Sequence, residues 1–220
     1  MRLTLSLAAV LCAMLSAVPA AHPSARASAG AERAAARPIA YTQWDGADQW
    51  RAGAFAGTRV QNSRLVLADP ADRRRYAGRL YEQGRWDSPW VGPGFALTEL
   101  VPSWSARTPS DTWIEVRVRA KSAGGQVSSW DVMGRWTSGD RHTRRRTVSG
   151  QTDDLGRVNV DTWRSAAPAG MTAYQVRVQL LRRAALRGSP SVDTVGAVAS
   201  RLPPGRVAAS VSAPGPGRGT

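Results

Sequence analysis

Apolar and charged residues alternate strictly between Ile114 and Lys121, and this is the clearest pattern in the chain. The apolar positions are Ile114, Val116, Val118 and Ala120, and the charged positions are Glu115, Arg117, Arg119 and Lys121. A period of two is typical of a β-strand that packs one face into a core and turns the other toward water. The pattern therefore predicts a strand of this kind, beginning near Trp113.

Shorter apolar runs on both sides of this strand are separated by Pro, Gly and polar residues. They predict a hairpin around Gln61–Arg64 and strands at 79–86, 95–101, 127–136, 157–163, 174–180 and 192–199. Residues 69–75 end in Arg73, Arg74 and Arg75 and are expected to form a solvated loop. No window keeps a helical period over three turns. The predicted fold class is therefore all-β: an antiparallel β-sandwich, jelly-roll-like, with disordered N- and C-terminal segments.

The tryptophans are the most informative side chains under this prediction. Trp130, Val132 and Trp136 share one parity of their strand, which predicts a core position for all three, and Trp86, Trp90 and Trp104 are also expected to be core or loop-anchoring residues. Trp113 shares the charged face of its strand with Glu115 and Arg117, and Trp163 shares a polar face with Asn159 and Asp161.

An indole on a polar face favours a contact surface, because exposed apolar area marks binding sites. The hypothesis is that a carbohydrate or cell-wall polymer binds at Trp113, Trp163, Arg117, Asn159 and Asp161. The alternative is that both rings lie at strand ends and cover either a sheet edge or the N-terminal segment that precedes the first strand.

The two ends of the chain differ in composition from the middle. Residues 1–20 are predicted to be a secretory signal peptide, with a membrane anchor as the alternative, because a short apolar run ends in small residues and is followed by Ala, Ser and Pro. Residues 21–38 are expected to form a disordered leader, 39–202 the sandwich, and 203–220 a flexible Pro/Gly-rich tail. These assignments predict a secreted protein that does not span the membrane once its signal peptide is removed.

The chain is strongly basic, with a formal net charge of +14. Such a charge attracts anionic surfaces such as wall polymers or nucleic acid. Its basic residues are almost all arginine and accompany abundant Ala and Gly, which is typical of a GC-rich genome. The charge is therefore interpreted mainly as a solvated surface, without a specific nucleic-acid partner.

Residues for catalysis or metal binding are scarce. The only cysteine, Cys12, lies in the predicted signal peptide, so the mature chain would hold neither a thiol nucleophile nor a disulfide. His22 and His142 match no zinc spacing, and several arginines flank His142, which disfavours an acid–base role. No cofactor and no metal are predicted.

Two carboxylate hypotheses stay open on the sequence alone. Asp153, Asp154 and Asp161 could hold calcium, although a turn followed by a strand is the simpler interpretation. Glu82, Glu99 and Glu115 lie in predicted strands and could supply the acid pair of a glycoside-acting enzyme.

Several tryptophan-containing blocks, in order and spacing, carry a resemblance to a known family. The blocks are Gly84–Trp90, Glu99–Trp104, Ala106–Pro109, Ser129–Trp130, Gly134–Trp136 and Val160–Trp163. Across about residues 41–202 the chain resembles secreted actinobacterial papain-like cysteine peptidases of the bacteriocin-processing, double-glycine-leader type. The resemblance implies an N-terminal β-sandwich accessory domain, followed by a peptidase domain that bears the catalytic cysteine and histidine.

No position of this chain matches the catalytic motif of that family, so no catalytic residue is carried over. The expectation is a fragment or truncated product, or a free-standing accessory domain. The first functional hypothesis is a secreted non-catalytic module upstream of a cysteine peptidase. The alternatives are a stand-alone carbohydrate- or wall-binding protein and, third, the glycoside-acting enzyme.

Overall fold

The computed structural model describes residues 37–139, 141–153 and 155–202. They form fourteen strands and one short helix. The elements are β1 Ile39–Trp44, α1 Ala47–Arg51, β2 Ala54–Ala56, β3 Thr58–Gln61, β4 Arg64–Leu67, β5 Asp72–Tyr76, β6 Arg79–Asp87, β7 Glu99–Arg107, β8 Thr112–Lys121, β9 Asp131–Trp136, β10 Arg146–Thr147, β11 Gly156–Asn159, β12 Thr162–Ser165, β13 Ala173–Arg183 and β14 Ser191–Ser200.

The strands form two sheets in which every pairing is antiparallel. The first sheet has the order β11-β12-β7-β14-β4-β3, and β1 pairs with β14 beside β4. The second has the order β10-β9-β8-β13-β6-β2, and β5 pairs with β6. This architecture confirms the predicted all-β antiparallel β-sandwich.

The core lies between the inner faces of the two sheets. In the second sheet, the apolar positions of β8 stand opposite those of β13, with Ile114 paired to Leu180 and Val118 to Val176. All four side chains are fully buried in one apolar cluster. The strand predicted from the alternation at 114–121 is thus confirmed, with its apolar face inward.

Helix α1 is a single turn that delivers Trp50 to this core. The Trp50 ring is fully buried and meets Trp86 edge-on at a centroid distance of 4.9 Å. Trp86 Nε1 in turn donates to the backbone oxygen of Trp50 at 2.8 Å. Aromatic packing therefore anchors a helix too short to be stable by itself.

The predicted hairpin around residues 61–64 is confirmed as β3 and β4. Asn62 and Ser63 form its turn with φ values of +50° and +59°. Two successive left-handed residues make a turn whose twist matches that of the flanking strands.

Three local predictions are wrong. Residues 69–75 were expected to form a loop, but Asp72–Tyr76 is strand β5, paired with β6. The second wrong prediction is that Trp130 shares the core face of its strand with Trp136. A β-bulge at Met133 shifts the pairing of β9 with β8 between Gly134 and Val132. The extra residue reverses the parity, so Trp136 packs against the core whereas Trp130 lies on the outer face.

The third wrong prediction concerns residues 157–163, which are not one strand. They form the hairpin of β11 and β12, with Val160 at φ +59° in the turn. Val158 consequently pairs with Trp163, and both side chains are buried.

The predicted signal peptide, almost all of the leader and the tail lie outside the described residues. Within the part of the chain that the structure describes, no helix has the length and apolarity needed to cross a membrane.

Candidate functional site

The outer face of the second sheet carries a row in which cationic and indole side chains alternate. Each member contacts the next in the order Lys121, Trp90, Arg119, Trp130 and Arg177, and the row ends at the carboxylate of Asp87, which pairs with Arg177. We call this row the cation–indole ladder. Distances from cation to ring centroid run from 4.1 Å, for Arg177 and Trp130, to 5.1 Å, for Arg119 and Trp90. Cations at these distances are attracted by the negative face of the ring.

Strand parity places the cations of the ladder. Arg119 and Lys121 are the outward positions of β8, and Arg177 lies on the same face of β13. Both guanidiniums are fixed by side-chain acceptors. Arg119 donates to Gln175 Oε1 at 2.8 and 2.6 Å, and Arg177 binds Asp87 with two bonds of 2.6 and 2.7 Å. Burial, followed by the nearby charge of Arg177, lowers the pKa of Arg119.

Two loops place the indoles of the ladder. Trp90 follows β6 in a segment held against β13, where the Ser88 amide donates to Val176 O at 2.8 Å. Trp130 precedes β9 in a segment held against β8, where the Ser128 amide donates to Ala120 O at 2.9 Å. The ladder therefore rests on backbone bonds at both flanks. Both rings remain partly exposed.

A second group of charges, which we call the Glu115 cluster, adjoins the ladder on the same face. It comprises Glu115, Arg74, Arg117 and Arg135, and the Glu115 carboxylate itself has no exposed surface. Arg74 reaches both carboxylate oxygens at 3.0 and 3.1 Å, and Arg135 Nε donates at 2.7 Å. Burial would raise the pKa of Glu115, but the hydrogen bond from Arg74 and the charges of Arg117 and Arg74 outweigh it and hold this pKa at about 2.

The sequence hypothesis expected Trp113 to be exposed, and that is wrong. Its ring is fully buried in a small outer cluster with Tyr81 and Leu181. Tyr76 of β5 packs against it at a centroid distance of 4.9 Å, and Arg74 lies 5.2 Å from the ring. Strand β5, which was expected to be a loop, contributes to this cover.

Trp163 is also buried, on the inner face of the first sheet, because the β11–β12 turn reverses the parity assumed from the sequence. Its Nε1 donates to Asp131 Oδ2 at 2.8 Å. Burial raises the pKa of Asp131. The hydrogen bond from Trp163 lowers this pKa, whereas the negative charge of Asp153 raises it further, and the net change is an increase.

The remaining predicted residues lie apart from one another. Arg117 belongs to the Glu115 cluster of the second sheet, whereas Asn159 and Asp161 are exposed at the β11–β12 hairpin of the first. The five residues of the sequence hypothesis are therefore not brought together. Trp90 and Trp130, which sequence reasoning assigned to core or loop-anchoring roles, stand on the ladder instead.

The candidate catalytic groups are also separated. Glu82 pairs in register with Arg182 of β13 and Glu115 with Gln179, so these two carboxylates lie on opposite faces of the second sheet. Glu99 lies on the outer face of the first sheet, paired with Arg164, and Glu115 on the outer face of the second, so the two carboxylates cannot flank one bond. Arg79 donates to Nδ1 of His142 at 2.9 Å, which occupies the lone pair that a base would use.

Asp153, the first residue of the calcium hypothesis, organises a turn. Its carboxylate accepts bonds from the Ser129 amide and hydroxyl and from the amides of Leu155 and Gly156. Asp154 lies outside the described residues. Across the described ranges, no group of three His, Cys, Asp or Glu residues could hold a metal ion.

Comparison with known families gave one finding that covers most of the chain. Residues 40–200 match the family described as Peptidase C39 N-terminal domain, which confirms the resemblance seen in the tryptophan-containing blocks. The match is to an N-terminal domain of a peptidase family and not to its catalytic domain. A search of curated proteins gave no match.

Proposed function

Because the chain belongs to the Peptidase C39 N-terminal domain family, we propose that it is a secreted, non-catalytic β-sandwich module that positions a cysteine peptidase domain at the bacterial cell wall. The observation that carries this proposal is the cation–indole ladder. It is a preorganised, partly exposed surface on a sheet, of the kind that holds an extended polymer.

The charges of this surface support an anionic polymer as the partner. The ladder and the Glu115 cluster together hold six cations, against the carboxylates of Glu115 and Asp87. Excess positive charge on one face raises the local concentration of anionic ligands. Indole rings add apolar surface on which sugar rings stack. A wall polysaccharide that carries anionic groups combines both chemistries.

The state of the ionisable groups supports a non-catalytic role. Glu115, with a pKa near 2, stays an anion at neutral pH and is surrounded by guanidiniums, so it is a poor general acid. Glu99 and His142 are each engaged by arginine side chains. The only cysteine of the sequence is Cys12, in the predicted signal peptide.

A cosedimentation assay with purified actinobacterial cell walls tests the binding. The wild-type chain should sediment with the walls, and a double substitution W90A/W130A should weaken binding by about ten-fold, as expected for loss of central aromatic contacts. Tyr41→Ala removes an exposed aromatic from the other sheet and should leave binding unchanged. Lys121→Gln, a milder ladder variant, should weaken binding even if the double variant folds poorly.

Two results would refute wall binding by the ladder: no sedimentation of the wild type, or equal losses in Y41A and the ladder variants. Secretion is tested separately, by fractionating a producing culture. The proposal expects the mature chain in the medium or wall fraction and fails if the chain stays in the cytoplasm.

The second candidate is a wall-binding protein that works without a peptidase domain, and the same ladder favours it. The genomic sequence beyond codon 220 separates the two candidates. An in-frame domain with a cysteine and a histidine supports the peptidase module, whereas a stop codon with no remnant supports the stand-alone protein.

A further inference from the structure

A cavity of about 290 Å³ lies beside β12 of the first sheet, where the chain leaves β14. Its polar lining consists of Thr98, Arg157, Arg164, Ser165 and Arg201. The cavity and the ladder belong to different sheets, so this site is independent of the proposed wall-binding surface.

Two of the arginines stand directly opposite each other. Arg157 of β11 pairs in register with Arg164 of β12, so their side chains share one face of the sheet. Like charges in this position destabilise a sheet unless an anion lies near them. Arg157 is exposed, and among the described residues its side chain has no hydrogen-bond or ion-pair partner.

Arg164 is only partly satisfied by the protein. One of its terminal nitrogens pairs with Glu99 at 3.1 Å. Its Nε is buried and has no hydrogen-bond partner. A buried donor of this kind is costly when left unpaired and calls for an acceptor.

The third guanidinium is fixed in place by the backbone. Arg201 donates through Nη1 to the carbonyl oxygens of Ala96 and Ala169 at 2.8 and 3.0 Å. Its Nε and Nη2 have no hydrogen-bond partner among the described residues and are available to a ligand. The site is therefore partly preorganised, which lowers the entropic cost of binding.

Carboxylates do not neutralise this group of arginines. Glu99 is the acidic side chain that Arg164 contacts, and it is shared with Arg37. Among the described residues, Arg157 and Arg201 have no carboxylate partner, so the three arginines that line the cavity are opposed only by the one carboxylate that Arg164 shares with Arg37.

We propose that this cavity binds the oxyanion group of a small ligand, a carboxylate or a phosphate, between Arg157, Arg164 and Arg201. The planar guanidinium presents paired N–H donors that match the oxygen spacing of either group. The volume is at the lower end of the range of ligand pockets, which fits a small molecule or the end of a longer one.

Titrations of the ¹⁵N-labelled chain followed by NMR test this proposal, with inorganic phosphate and acetate as separate probes. Sodium chloride holds the ionic strength constant. Saturable shifts are expected at the amides of Thr98, Ser165 and Leu202, which line the cavity. The probe that saturates at the lower concentration identifies the ligand as phosphoryl or carboxylate.

The matched variants are Arg157→Gln and Arg59→Gln. Both remove an exposed arginine from the first sheet, but β11 and β3 are at opposite ends of the strand order. R157Q should weaken binding by about ten-fold, as expected for loss of one charge-assisted contact, and R59Q should leave it unchanged. R157E should abolish the saturable shifts.

Absence of saturable shifts in the wild type would overturn the proposal. Equal weakening by R157Q and R59Q would also overturn it, because that result would show general attraction of anions to a basic protein. Neither variant removes a hydrogen bond of the core, so thermal melting should show both folded.

Discussion

Replacing Glu115 with glutamine should destabilise the protein more than any other single change to its charged side chains. The fold lowers the pKa of Glu115 from about 4.5 to about 2. One pKa unit corresponds to about 1.4 kcal/mol, so the ionised carboxylate contributes on the order of 3 kcal/mol at neutral pH. Removing one partner of a buried ion pair typically costs about 3–5 kcal/mol, which agrees with this figure.

The sign of the pH dependence follows from the lowered pKa. The contribution of Glu115 is complete above pH of about 4.5 and is lost as pH falls toward 2. About three-fifths of it should be gone at pH 3. The difference in unfolding free energy between wild type and E115Q should therefore be constant near neutrality and shrink in acid.

Urea unfolding followed by tryptophan fluorescence, from pH 7 to pH 3, measures this difference. Asp48→Asn is the control, because Asp48 pairs with Arg51 on the surface and is 95% exposed. A surface pair of this kind is worth less than about 1 kcal/mol. A loss of unfolding free energy of less than about 1 kcal/mol in E115Q at pH 7, or a loss that stays constant down to pH 3, would contradict a stabilising role of the ionised carboxylate.

Two further predictions concern the β11–β12 region. Val160→Asn should stabilise the protein by about 1 kcal/mol in the same urea assay, since the left-handed turn strains a β-branched residue and suits asparagine; an unchanged or lower stability would contradict the strain. Asp131→Asn should stabilise at pH 7 but not below pH of about 4, because the raised pKa of Asp131 makes its ionised form unfavourable in the fold, while the amide oxygen can still accept from Trp163. If the difference in unfolding free energy between D131N and wild type does not grow between pH 4 and pH 7, the ionisation of Asp131 does not destabilise the fold.

The strands that could be predicted well from the sequence are those in which apolar and polar residues alternate without interruption, so that the buried face can be recognised from the strand alone. Ile114–Lys121 and 174–180 alternate cleanly, and both are central strands of the second sheet. The family resemblance over the tryptophan-containing blocks was equally reliable, because it rests on several residues in order and spacing.

The candidate site was missed because parity reveals a face but not what covers it. Trp113 does lie on the charged face of β8, yet β5 helps to bury it, and the sequence of β5, Asp72–Tyr76, is too charged to be recognised as a strand. Trp130 was assigned to the core because nothing in the sequence marks the bulge at Met133. Parity places Trp163 on the surface because it treats residues 157–163 as one strand, and a β-branched residue such as Val160 rarely takes the left-handed conformation that makes the turn here.

The pairing of β1 with β14 determines how the described domain would respond to a pull on its two ends. Ile39 stands opposite Ser200, and the Arg201 amide donates to Pro38 O at 3.1 Å, so both ends leave from neighbouring points of one sheet. Tension between the two ends would break the hydrogen bonds between β1 and β14 one after another, starting at Ile39 and Ser200. Sequential rupture needs less force than breaking all of these bonds at once by shear. Trp44, at the far end of β1, meets Trp86 in the core and would be the last to detach. Because β1 belongs to the first sheet and the ladder strands β8 and β13 to the second, loss of β1 under such tension would leave the pairing beneath the ladder intact.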